Sequence, residues 1–167
     1  FFMKTKTLLL LLLCGPVCAT EPTNPLLGAW HLTGVEWLST EGSSALTDVQ
    51  PGLFVFTAGH YALMWSPINE PRTPFKVLSQ PTNEEAIAGF KSVVFNGGSY
   101  QYAEGELVTT AEIAKVPGFE TGQQFFKADA QGDQLTLTFY DEVYPDGSKP
   151  EWAGKWRTVF TLKKASD

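Results

Sequence analysis

Cysteine, histidine and charge are the scarce things in this chain of 167 residues. The two cysteines, Cys14 and Cys18, both fall in an N-terminal stretch that reads as a leader. Without that leader the chain has neither thiol nor disulfide, so burial of apolar surface must hold its fold. The two histidines, His31 and His60, stand well apart, and no His-x-x-x-His or paired-ligand spacing occurs. No metal site and no cofactor are expected from that pattern. Gly-x-Ser-x-Gly, a phosphate-binding loop and a dinucleotide fingerprint are missing too, which removes common enzyme signatures. The leucine run Leu8–Leu13 falls far short of the roughly 20 residues a membrane-spanning helix needs, so stable membrane insertion is not expected.

Charged residues make up only 18% of the chain, and the formal net charge is −6. Lys4, Lys6, the leucine run and Val17-Cys18-Ala19 follow the order of a secretory signal peptide cut after Ala19. This assigns residues 1–19 to a leader and 20–167 to a single domain, exported to the periplasm or the medium. Loss of Lys4 and Lys6 takes the charge to −8, which argues against nucleic acid or an anionic membrane surface as partner. The oligomeric state is left open.

What the chain has instead is aromatic residues, at 13%, and 15 glycines between short apolar runs. That combination reads as β-structure. Leu53–Thr57 and His60–Ser66 flank Ala58-Gly59 as a tight hairpin. Ser99–Ala103 with Glu106–Lys115, and Gln123–Ala128 with Gln134–Tyr140, repeat the pattern, and Lys155–Lys163 is the last strand. Ser39–Pro51 shows no periodicity and reads as a loop. One amphipathic helix is expected over Glu84–Phe95, with Thr82 and Glu85 forming a capping box. Its stripe Ile87, Phe90 and Val94 should pack on the strands and limit access to their interior, and Asn96-Gly97-Gly98 should end it. Eight antiparallel strands in sequence order define the expected fold class, an all-β up-and-down barrel with one helix.

The first strand, Leu27–Leu38, places Trp30, Leu32, Gly34, Glu36 and Leu38 on one face by strict alternation. Its Gly28-Ala29-Trp30 resembles the Gly-x-Trp signature of the lipocalins and wider calycin barrels. That resemblance implies structural roles for Gly28 and Trp30 at the closed end, with the Trp ring covered by a basic residue of the last strand, here Arg157. Phe56–Tyr61, Pro71-Arg72, Gly98-Ser99-Tyr100, Pro117-Gly118 and Leu135-Thr136-Leu137 extend the resemblance to the bacterial and fungal lipocalin-like domain family, over nearly the whole of 20–167.

The candidate ligand-binding residues follow from parity. Tyr61, Leu63 and Trp65 share a face, as do Tyr100 and Tyr102; Thr110 and Glu112 alternate likewise, and Phe126 sits opposite. Together they describe an apolar pocket with a few polar tips, suited to a small, mostly apolar molecule. Two alternatives remain. An isomerase- or cyclase-type enzyme would use the same cavity, with Glu112 and a tyrosine as acid and base. A protein-binding or inhibitory module would use the Pro-rich segment and exposed loops. The strand Glu106–Lys115 is where parity is least decided, because Leu107, Ala111 and Ile113 form a competing apolar face.

Overall fold

The computed structural model describes residues 24–166; the leader expected at residues 1–19 lies outside them. Nine strands and one helix follow in order: β1 Gly28–Ser39, β2 Gly42–Ala45, β3 Leu53–Phe56, β4 His60–Trp65, α1 Asn83–Lys91, β5 Val94–Ala103, β6 Glu106–Ala114, β7 Gln123–Gln131, β8 Gln134–Val143 and β9 Trp156–Lys164. All neighbouring pairs are antiparallel, and β1 also pairs with β9, so eight strands close into an up-and-down barrel. β2 is a short extra strand on the far half of β1, inside the stretch expected to be a loop. No helix among the described residues is long and apolar enough to cross a membrane.

The two ends of the barrel differ. At one end lie the tight turns β3–β4, β5–β6 and β7–β8, together with Gly28 and Lys164. At the other lie the long connections 66–82, 115–122 and 144–155, with α1 among them. The first end is closed and the second is the mouth. The core between them packs Trp30, Leu32, Val35, Phe54, Phe56, Tyr61, Leu63, Phe126, Leu137 and Phe160. Phe54 meets Phe160 edge-on at 5.3 Å and Phe126 stacks on Phe139 at 5.0 Å, so aromatic rings fill much of the interior.

Bulges account for the three strands whose facing differs from strict alternation: β1, β6 and β8, the last with Tyr140 as the extra residue between Phe139 and Asp141. In β1 the register shifts between Leu32 and Gly34, leaving Thr33 as the extra residue. Beyond it Val35 is buried and Glu36 exposed, so Val35 and Trp37 replace Glu36 and Leu38 on the face of Trp30. In β6 the register shifts at Glu112, opposite Gly97 and Gly98. Leu107, Thr109 and Ala111 point inward and are buried, whereas Ile113 is exposed beyond the bulge.

The helix is shorter than its apolar spacing suggests. Its capping box is formed as expected, with Thr82 accepting from the Glu85 N–H and Glu85 from the Thr82 N–H. It ends at Ser92, because Val94, Phe95 and Asn96-Gly97-Gly98 pair with β4 as the start of β5. None of its residues is buried; Ile87 is 57% and Phe90 49% exposed. Ile87 and Phe90 therefore face outward, correcting the expectation that they pack on the barrel, while Val94 belongs to β5 and is half-buried. Arg72 donates through Nε to Ser92 Oγ, which ties the Pro-rich segment to the helix end.

Candidate functional site

The eight candidate pocket residues do not surround one cavity. Tyr61, Leu63 and Phe126 point inward into the packed core. Trp65 is half-buried near the mouth, edge-on to Phe160 at 5.1 Å. Tyr100 and Tyr102 point inward at the closed end, beside a surface cleft of about 490 Å³. Tyr100 spends its hydroxyl there, donating to Thr57 O and accepting from Asn24 Nδ2. Thr110 and Glu112 are corrections. Thr110 lies on the outer face against Gln123, and Glu112 is exposed, 4.0 Å from His60 Nε2. The apolar set Leu107 and Ala111 took the inner face of β6. With Glu112 outside, the enzyme alternative loses its base.

Arg157 is a further correction. Antiparallel pairing sets Trp30, near the start of β1, opposite Lys164, near the end of β9; Arg157 falls opposite Leu38 at the mouth. It is Lys164 Nζ that lies over the Trp30 ring, 5.3 Å from its centroid. Gly28 has a φ of +117°, which favours glycine, and a Cβ there would crowd Lys164 Cε at 3.3 Å.

The residues that do converge are polar and come from the inner faces of β4 to β8. Asn96 of β5 donates through Nδ2 to Gln124 Oε1 of β7 at 3.0 Å, and Gln124 Nε2 donates to Glu142 Oε2 of β8 at 2.8 Å. Thr109 of β6, fully buried, reaches Gln124 O at 3.4 Å. Tyr61 extends the streak toward the centre, its buried hydroxyl near Thr109 but without a well-formed hydrogen bond. The inner end is dry enough that burial pushes the Tyr61 phenol up to about 12. At the mouth the streak opens into a cavity of about 230 Å³, walled by Val94, Ala114, Val116, Phe119 and Tyr144. Phe119 and Tyr144 meet edge-on at 6.3 Å over its rim.

Glu142 is the charged end of this streak. Burial raises its pKa; the Gln124 hydrogen bond opposes the rise, and neighbouring Asp141 adds to it. A raised folded-state pKa means that ionisation costs stability. The cost is absent below the ordinary value of 4.5 and grows as pH rises through the window above it. Glu142→Gln keeps the acceptor for Gln124 and removes the charge. The variant is expected to melt higher than the parent at pH 7, the gap shrinking to nothing as pH falls toward 4; thermal melts across that range check it.

Sequence reasoning missed this streak. Gln124 shares parity with Phe126 and was legible as inward, whereas Asn96 falls in the stretch expected to end the helix and is placed inward only by its pairing in β5. No family model matches the chain and no curated relative matches it. Among solved structures it is similar to a lipocalin-like protein from Bacteroides uniformis, with 14% identity over 85% of this chain and 100% of that one, at a TM-score of 0.44.

Proposed function

We propose that this protein binds a compact, mostly apolar molecule at the mouth of its barrel. The observation that carries the reading is the polar streak Asn96–Gln124–Glu142 opening into an apolar-walled cavity. Apolar walls with a few placed polar groups are what small-molecule sites have in common. At about 230 Å³ the cavity lies below the roughly 300–1,000 Å³ of drug-sized sites, which favours a small ligand. The core residues Tyr61, Leu63 and Phe126 then serve as its packed floor rather than as contacts. The leader-like residues 1–19 support export, so the ligand is met in the periplasm or the medium.

Titration of isotopically labelled protein with 2-phenylethanol, a neutral probe of suitable size, tests the reading. Shifts are expected in the side-chain amide signals of Asn96 and Gln124 and in the backbone signals of Phe119 and Tyr144. Ala114→Leu, which fills the cavity, should abolish them. Shifts confined to Tyr100, Tyr102 and Glu104 would move the site to the closed end and overturn the proposal.

A further inference from the structure

The streak has a direction, and its direction selects a ligand. A carboxylate accepts and cannot donate, so Glu142 compels Gln124 to turn its NH2 toward Oε2. Gln124 Oε1 is then left to accept, and Asn96 must turn its own NH2 to it. Each amide is therefore oriented by the one before. The chain ends on Asn96 Oδ1, a buried acceptor with no donor, in a residue only 7% exposed that lines the cavity. The second carboxylate oxygen, Glu142 Oε1, likewise receives no hydrogen bond among the described residues. No lysine or arginine pairs with Glu142 among them either. Lys149 is taken by Asp141, and Lys115, the one cation in the cavity lining, has its Nζ 4.4 Å above the Phe90 ring on the helix.

The cavity is thus rich in acceptors and carries a charge its own side chains leave unbalanced. Phe119 and Tyr144 add ring faces, which attract a cation wherever water is partly excluded. A carboxylic acid would meet Glu142 as a like charge. A neutral alcohol would supply a single donor and no compensating charge. A protonated amine supplies two or three donors and the missing positive charge.

We propose that the mouth cavity recognises a compact primary amine on a flat apolar body, its ammonium group held by Glu142 Oε1 and flanked by Phe119 and Tyr144. This rests on the mouth being a small-molecule site. Three probes with one apolar body separate the two ideas: 2-phenylethylamine, 2-phenylethanol and 3-phenylpropionate, titrated into the full chain at pH 7 and followed by the same amide signals. The amine is expected to bind at least tenfold more tightly than the alcohol, and the carboxylate least of all. Glu142→Gln should bring the amine's affinity down to that of the alcohol. Its unchanged or raised melting temperature shows that the loss is not unfolding. Equal affinity for amine and alcohol, tighter binding of the carboxylate, or a Glu142→Gln variant that keeps the amine preference overturns the inference while leaving the mouth site standing. Failure of all three probes to bind removes both.

Discussion

Trp30→Ala is expected to destabilise the protein by about 3–5 kcal/mol, the cost of truncating a large buried ring. The ring is 0% exposed, and its Nε1 donates to Leu26 O at 2.8 Å, with Leu26 itself fully buried. Truncation therefore opens a cavity at the closed end, strands the Leu26 carbonyl and loosens the segment that crosses beneath the barrel. Lys164→Ala removes the cation above the ring and should cost about 0.5–1 kcal/mol. Arg157→Ala, at the mouth and exposed, should stay within about 0.5 kcal/mol. Urea denaturation of the three variants ranks them directly. An Arg157 effect exceeding that of Lys164 would contradict the pairing of β1 with β9 described above.

The contrast between Arg157 and Lys164 shows what a single sequence can and cannot carry. That the first and last strands are neighbours follows from barrel closure. Which basic residue meets Trp30 depends on register, and antiparallel register joins the start of one strand to the end of the other. The hairpins were legible because their turns are short and rich in glycine, and the inner faces of β4 and β5 because Tyr61, Leu63 and Trp65, and Tyr100 and Tyr102, alternate there. Bulges are where alternation stopped serving. One extra residue, Thr33 in β1, Glu112 in β6 or Tyr140 in β8, sends every later side chain to the opposite face, and nothing in the local composition marks these positions. The helix end was misplaced for a related reason. Asn96-Gly97-Gly98 has the composition of a helix stop, yet here it is strand, and its glycines answer to the neighbouring strand instead. The polar streak was hidden because Asn96, Gln124 and Glu142 are unremarkable singly; only the register of β5 to β8 brings them into a line.

Gly98→Ala should be the most damaging of the small substitutions. A Cβ at Gly98 would lie 2.2 Å from Thr110 O and 2.6 Å from Glu112 N, both backbone atoms of β6. Backbone in the middle of a closed barrel cannot step aside as a flexible side chain can, so the bulge at Glu112 must open or β5 must slide. The expected cost is about 3 kcal/mol, the upper end of the overpacking range, or more. Gly59→Ala is the matching control. In the β3–β4 turn a Cβ meets nothing within 4 Å, and alanine there should be neutral or stabilise by up to about 1 kcal/mol through a less flexible unfolded chain. The effect of Gly98→Ala should also reach the mouth. Asn96 lies two residues before Gly98, and its pairing with Ala114 is set by the register shift at that bulge. If β5 moves, Asn96 Nδ2 loses Gln124, and the streak no longer holds Glu142 in one orientation. Whatever fraction of Gly98→Ala remains folded at 25 °C should therefore bind 2-phenylethylamine no better than 2-phenylethanol, measured by the same titrations. Native stability together with an intact amine preference would show that the close approach at Gly98 does not hold the bulge, and with it the site, in place.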